Sequence, residues 1–403
     1  MAVLPPLMAR QRLAFFAVAL NVFMDALGVT LLLPILPELL RPFGSNAFLL
    51  GAFASVYTLA QFISTPVLGS LSDRFGRRPP LILTLVFTGL AYVLLAVGSL
   101  VENLPLLFGA RILAGLAGGV FAIAQAYIAD RESDPLKRST QFGWIGAAFG
   151  LGFLFGPALG GLLSGVNLRL PIWFAAILAF INAALTVFTV VESLPPERRR
   201  IVPWQDMNPL KQLLAVSRNP KLRRSLASAF IYNFAFAGFT SLFVLFVQNR
   251  FGWTPLQVAG VLIAGGFTSA LGQGLIFGRL LPYFQEKGLA LLGLGGMAAG
   301  YFWLAQVPQP GTQLYPAQIL TALFGGFVIP ALSGLFSRRV TAEEQGQVLG
   351  SVQGWQSLAQ VIGPLILGVV YDRGGADPFF WSLAALNVFA ILLLLPRSRQ
   401  PIE

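Results

Sequence analysis

The sequence predicts an all-α polytopic membrane protein, with twelve transmembrane helices in two six-helix bundles. Three observations carry this. Of the 403 residues, 56% are hydrophobic and only 11% are charged, whereas a soluble domain carries roughly 25% charged residues. The apolar residues fall in long runs divided by short charged or Pro/Gly-rich breaks, and a helix needs roughly 20 apolar residues to cross a bilayer. The halves also look like copies. G-S-L-S-D-R-F-G begins at Gly69 and G-R-L-L-P-Y-F-Q at Gly278, 209 residues on, while Gly156-Pro157 returns as Gly363-Pro364, 207 residues on.

The runs place spans near 13–36, 47–68, 80–100, 105–129, 139–163, 171–191, 225–247, 256–277, 289–306, 314–337, 346–370 and 378–395. Residues 1–191 then form the N-terminal bundle, 192–224 a linker and 225–403 the C-terminal bundle. An even count puts both termini on one side. Of 27 Lys and Arg residues, 22 lie in the two tails and the even-numbered loops. Arg41, Arg169, Arg250 and Arg373 lie in the odd-numbered loops, and Arg111 lies inside a span. Basic residues are retained in the cytoplasm, so both termini are expected there, in a plasma (inner) membrane protein. The net charge of +11 is thus topological and does not imply nucleic acid. The linker, with Arg198-Arg199-Arg200, is expected to hold a basic surface helix near Pro209 to Val216. The first span is too long for a cleaved signal peptide.

The chain has no cysteine and no histidine. Disulfides and thiolate metal sites are excluded, and a proton carrier must be a carboxylate. An embedded hydrolase would lack the groups for acid–base chemistry. No cofactor or metal is expected, only a proton gradient.

Asp25 sits at the centre of the first run, about 18 Å from Leu13 at about 1.5 Å per residue, near the midplane. A carboxylate there costs about 2.5 kcal/mol or more, so it faces a partner or water and commonly handles protons. Arg111 is the other embedded charge, about 9 Å inside the opposite end of the fourth span. By itself Arg111 could snorkel to the outer headgroups; if the fold brings it to Asp25, the two form a shared site in which protonation of Asp25 frees Arg111 or reshapes the cavity and deprotonation restores the attraction. Other embedded polar residues suggest a substrate cavity. Asn21 precedes Asp25 by one turn, and Gln125 follows Arg111 by nearly four. Asn233 and Thr240 mark the seventh span, Gln318 and Thr321 the tenth, and Gln353, Gln356 and Gln360 the eleventh.

The loop from Gly69 to Pro80 reads G-S-L-S-D-R-F-G-R-R-P-P. Gly69 and Gly76 permit a tight turn. Asp73 supplies an anion, and Arg74, Arg77 and Arg78 supply cations. The fifth span carries Gly143, Gly152, Gly156, Pro157, Gly160 and Gly161, small residues that let helices approach and a proline that bends one.

The loop resembles the signature loop G-x-L-x-D-R-x-G-R-R of the major facilitator superfamily, and the fifth span resembles the motif of its antiporters. Arg111 with Gly115 matches the family's fourth-span motif R-x-x-x-G. D-A-L-G-V-T-L-L-L-P, A-Y-I-A-D and L-S-G-L-F-S-R-R-V-T-A-E-E-Q-G extend the likeness to the twelve-span drug:proton antiporters, closest to the tetracycline-efflux group. The resemblance implies a gating latch of Asp73, Arg77 and Asp130, with Asp73 touching the start of the eleventh span. It implies a cavity lined by spans 1, 4, 7 and 10. It implies export of an amphiphilic organic molecule in exchange for protons, by a monomer in a lipid bilayer, as in antibiotic resistance. The tetracycline group has further embedded acids where this chain has Ala91 and Met297, which speaks against a metal-chelated cargo. A sugar or lysolipid carrier, or a uniporter, is the alternative with the same fold, and a non-transporting receptor the third reading. Pro282 stands where Asp73 would fall in the second half, so the duplicate latch is expected to be degraded or absent.

Overall fold

The computed structural model describes residues 6–44, 46–132, 134–199, 217, 219–309, 311–340 and 345–395. Among them there are helices and turns and no strand. The first unit of the repeat contains α1 (Pro6–Leu31), α2 (Ala47–Phe75), α3 (Arg78–Leu100), α4 (Leu104–Leu116), α5 (Val120–Arg131), α6 (Pro135–Ser164) and α7 (Leu170–Thr189). The second contains α8 (Pro220–Phe251), α9 (Pro255–Leu271), α10 (Phe277–Ala305), α11 (Leu314–Ser337), α12 (Gln345–Gly374) and α13 (Ala376–Leu394). Eleven stretches among the described residues are long and apolar enough to cross a membrane. One of these, Pro255–Ala305, is 51 residues long and is divided by the non-helical residue Gln285, which brings the spans to twelve.

Two expectations are corrected. The fourth span is not one helix: α4 ends at Leu116 and α5 starts at Val120. The reason is crowding. A Cβ on Gly118 would lie 2.7 Å from Gln61 Nε2, and one on Gly119 2.6 Å from Leu68. Gln61 Nε2 in turn donates to Gly118 O at 3.2 Å, satisfying a carbonyl that the break frees. The second correction concerns residues 278–288, expected to be a loop. A π-type turn at Gly272–Ile276 runs directly into α10, which leaves helical geometry only at Gln285. The surface helix expected near Pro209 to Val216 lies outside the described residues.

The chain forms two compact units. Unit 1 comprises Met1–Ser45, Val56–Asn208 and Trp253–Ile263; unit 2 comprises Asn46–Ser55, Pro209–Gly252 and Ala264–Glu403. In unit 1, α1 packs along α6 and against α7, and α3 packs along α7. In unit 2, α8 packs along α12 and against α13, and α10 packs along α13. The same pairs of spans meet in each, which is the structural form of the 209-residue repeat.

Without a strong hydrophobic drive inside a bilayer, helix contacts rest on close shape fit. Unit 1 has a core of Val18, Leu81, Ile123 and Ile145, all nearly inaccessible. Unit 2 has a ring cluster in which Phe246 meets Phe380 at 4.6 Å and Phe239 meets Tyr301 at 5.0 Å. Large apolar side chains such as Phe16, Trp144, Phe188 and Trp381 remain exposed, as a lipid-facing surface requires. Unit 2 also takes in the first turns of α2. There Asp372 accepts the Ala47 and Phe48 amides at 2.7 and 2.9 Å, a carboxylate at the positive end of a helix.

Candidate functional site

Asp25 lies on α1 and is half-buried. Arg111, on α4, is 7% exposed, and its guanidinium stands 5.7 Å from the centre of the Tyr57 ring, a favourable cation–π placement. Tyr57 and Tyr92 both lie within electrostatic reach of Asp25 and of Arg111. The Tyr92 hydroxyl sits 3.0 Å from where a Cβ on Gly28 would be, one turn beyond Asp25. The first four spans thus contribute one carboxylate, one guanidinium and two phenols, the phenols lying within reach of both charges. The tyrosines escaped sequence reasoning because they look like ordinary aromatic residues in an apolar run.

The helix that carries Asp25 is fixed to α6 by backbone contact. A Cβ on Gly152 would lie 2.5 Å from Phe23 O, and on Gly156 it would strike Thr30 Oγ1. On Gly160 it would strike Leu31 O. Thr30 Oγ1 donates to Gly152 O at 3.1 Å. Glycines at intervals of four form one stripe on a helix, and this stripe receives α1 directly on either side of Asp25. Pro157 lies inside α6 beside the stripe. Gly161 points elsewhere, toward Pro255 and Ala259, and a Cβ on Gly143 would meet open space.

The loop between α2 and α3 is a closed polar network. Gly76 has φ +95°, a backbone that favours glycine, and a Cβ there would strike the Glu192 carboxylate. Arg77, 8% exposed, donates from Nε to Asp130 at 2.7 Å, and from Nη1 to Asp73 at 2.6 Å and Ser72 at 2.7 Å. Burial works against its charge, but the bonds to Asp130 and Asp73 outweigh this and hold the guanidinium above its ordinary pKa. Glu192, which sequence reasoning passed over, accepts the Arg77 and Arg78 amides at 2.7 and 3.2 Å. It thereby caps the exposed start of α3. Ser193 Oγ donates to Asp130 at 3.3 Å, and Arg78 donates to Val187 O at the end of α7. Arg74 is exposed over the Phe75 ring. Gly69 has open space at its Cβ position. The expected contact of Asp73 with the start of the eleventh span falls at 345–347, whose side chains lie outside those described.

Of the two expected outcomes for the duplicate latch, degraded or absent, the structure shows the first: one ion pair remains and the counterpart of Asp73 is lost. Adding 209 to Gly76 gives Gln285, and adding it to Arg77 gives Glu286. Gln285 has φ +54°, so the turn persists. Glu286 accepts from Arg338 at 2.7 Å, and Arg338 lies at the end of α11 where Asp130 lies at the end of α5. The pair is retained with its charges exchanged. Pro282 is accommodated one turn earlier inside α10, so it removes the counterpart of Asp73 without removing the turn.

The polar residues expected to line a cavity are mostly bonded within the units. Asn21 is 1% exposed and joins α1 to α7, its Oδ1 accepting from Thr186 at 3.1 Å. Asn233 donates to Ala229 O at 2.8 Å and accepts from Gln360 at 3.4 Å. Gln318 is packed on Gly265, and Thr321 on Gly300. Thr321 and Thr240 also bond back to carbonyls one turn earlier. Gln125 and Gln353 are exposed, and Gln356 is half-buried. Embedded amides thus serve helix joining at Asn21 and Asn233, while Gln125, Gln353 and Gln356 stay accessible.

Comparison with known proteins bears on this geometry. The family model for the Major Facilitator Superfamily matches residues 18–314 and 262–403. The chain is 35% identical over 385 residues to the class C tetracycline resistance protein of Escherichia coli, covering 94% of this chain and 95% of that one. It is 28% identical to multidrug resistance protein 2 of Bacillus subtilis, over 92% of each. The crystal structure of the human organic anion transporter MFSD10 superposes with a TM-score of 0.72 at 26% identity, covering 97% of this chain and 100% of that one.

Proposed function

The chain belongs to the Major Facilitator Superfamily, and from that premise we propose that it is a proton-coupled antiporter exporting amphiphilic or lipophilic organic molecules by alternating access. The single observation that carries this is the placement of Asp25. It is the acid of a four-span cluster with Arg111, Tyr57 and Tyr92. It also rides on the helix seated against the Gly152–Gly156–Gly160 stripe. Taking up a proton removes the negative charge that Tyr57 and Tyr92 face on the side of Asp25, the same two rings that also face Arg111. Because α1 and α6 touch backbone to backbone, the resulting adjustment of α1 is passed to α6 rather than absorbed by side-chain motion. The Asp73–Arg77–Asp130 network holds the ends of α2, α3 and α5 together in one state and must rearrange in the other. That end of the spans is assigned to the cytoplasm, on the distribution of basic residues.

The tetracycline and multidrug resistance relatives support an organic drug-like cargo. Ala91 and Met297 are each 1% exposed and apolar, so no carboxylate at these positions prepares a site for a metal chelate. The cargo class is therefore an amphiphile recognised by apolar and amide surface. The test is drug uptake into inverted proteoliposomes under an imposed pH gradient. Wild-type protein is expected to accumulate cargo, and Asp25→Asn to lose gradient-driven accumulation while unfolding at an unchanged Tm. Accumulation by Asp25→Asn equal to wild type would end the assignment.

A further inference from the structure

The residues that follow α7 are held as a strap against the loop between α2 and α3. Val190 and Leu194 are 2% and 6% exposed. Between them, Val191 O accepts the Tyr127 hydroxyl at 2.9 Å, and Arg131 Nη1 donates to the same hydroxyl at 2.8 Å. The Glu192 carboxylate gathers four amides: Oε1 accepts from Arg77, Ser193 and Leu194 at 2.7, 2.9 and 3.0 Å, and Oε2 from Arg78 at 3.2 Å. It occupies the space that any side chain at Gly76 would need. Leu194, Glu197 and Arg198 then line a cavity of about 530 Å³ together with Asp73, Arg77 and Asp130.

The strap touches both members of the ion pair. Arg77 Nε reaches Asp130 Oδ2 at 2.7 Å, while the Arg77 amide is bound by Glu192. The same Asp130 Oδ2 also accepts from Ser193 Oγ at 3.3 Å. The arginine is thus fixed at its backbone and at its tip, and the acid is shared. Capping α3 requires only that its first amides be bound. The bond from Ser193 to Asp130 goes further and joins the strap to the pair itself. Packed elements switch between discrete arrangements instead of stretching. Parting Arg77 from Asp130 therefore requires the strap to give way as well.

We infer that Glu192 is a positioning residue of the transport cycle: it sets the Arg77 backbone so that the guanidinium meets Asp130, and it makes release of the strap part of opening the latch. The inference rests on the reading that the Asp73–Arg77–Asp130 network rearranges during transport. A glutamine cannot replace the acid, because it has one acceptor oxygen and its NH2 group would face a backbone N–H. Glu192 acts through Arg77, so its loss slows the change of state and leaves cargo affinity alone.

The experiment uses the full chain in inverted proteoliposomes, with drug uptake under an imposed pH gradient. A second readout is thiol labelling of Leu194→Cys, in a chain that has no cysteine of its own. Glu192→Gln is expected to lower turnover about tenfold, the loss of one charge-assisted hydrogen bond, with cargo KM unchanged within about twofold. Ser193→Ala removes the bond to Asp130 and leaves the cap of α3 intact, and should lower turnover about threefold. Leu194→Cys, protected in otherwise wild-type protein, should react about tenfold faster when combined with Glu192→Gln or with Arg77→Gln. Glu102→Gln, an equal charge change at an exposed position beyond the far end of α3, should change neither readout. Unchanged turnover in Arg77→Gln would end the latch reading and this inference with it. If Arg77→Gln lowers turnover, the latch reading stands, and three results each overturn the inference alone: wild-type turnover in Glu192→Gln or Ser193→Ala, a loss carried by KM, or slow labelling of Leu194→Cys in the Arg77→Gln background.

Discussion

The turn before α3 and the turn inside α10 are the same device built twice with opposite charges. Both place one residue at positive φ, Gly76 or Gln285. Both follow it with a buried charge, Arg77 or Glu286, paired to the end of the second span that follows, at Asp130 or Arg338. They differ in how completely the charge is held. Arg77 and Asp130 have side chains 10% and 18% exposed, and Asp73, Ser72 and Glu192 complete the network. Glu286 is 11% exposed, but Arg338 is 66% exposed. A buried pair broken on one side costs about 3–5 kcal/mol, whereas an exposed pair contributes about 0–1 kcal/mol. Unit 1 therefore carries the strong latch and unit 2 a weak one. The comparison shows that a repeat conserves geometry more strictly than it conserves the sign of charge.

The largest contrast between the units is the embedded acid itself. Asp25→Asn should abolish gradient-driven transport, and adding Met297→Asp to that variant should not restore it. In the proposed coupling the acid works with Tyr57, Tyr92 and Arg111, whereas an acid at Met297 is placed in unit 2. Recovery in the double variant, measured in proteoliposomes, would show the units to be interchangeable. Next in size is Arg77→Gln, expected to lower transport at least about tenfold, since about 1.4 kcal/mol is a factor of ten and more than that is lost with a buried partner. Exchanging the charges, Arg77→Glu with Asp130→Arg, imitates unit 2 and should recover only part, because Asp73 then repels the new acid.

Glu286→Gln should have a smaller effect, about two- to fivefold on turnover, in line with an exposed partner. Spin-label distances report this well, because a chain without cysteine accepts single labels cleanly. The smallest expected effects on transport are those of the turn residues, which act on stability instead. Gly76→Ala forces a Cβ into Glu192 at positive φ and should lower stability by about 1–3 kcal/mol. Gln285→Gly relieves strain at the matching position and should raise it by about 1 kcal/mol. Thermal unfolding of both variants gives the two signs directly, and equal signs would break the analogy between the turns.

Much of this was legible along the chain. Asp25, the Gly152–Gly156–Gly160 stripe and the Arg77–Asp130 pairing were each marked by residue type and spacing or by family likeness. The inverted pair was also within reach, since the 209-residue offset places Glu286 opposite Arg77. The reading stopped at Pro282, which marks the lost counterpart of Asp73 but not the retained pair of Glu286 with Arg338. Asn21 was misleading for a different reason. Its position on the face of Asp25 is a helical property, but the α7 residue Thr186 that claims it comes from 165 residues away.

The sequence by itself determined the number of spans, the two copies and the one acid at mid-membrane. Each of these follows from hydropathy, charge and period, which are summed locally along the chain. Only the tertiary structure decided that Tyr57 and Tyr92 lie within electrostatic reach of both Asp25 and Arg111, that Glu192 caps α3, and that Glu286 pairs with Arg338. Those outcomes depend on which helix faces meet, and inside a bilayer that is set by close packing at glycines and by the need to satisfy each buried polar group.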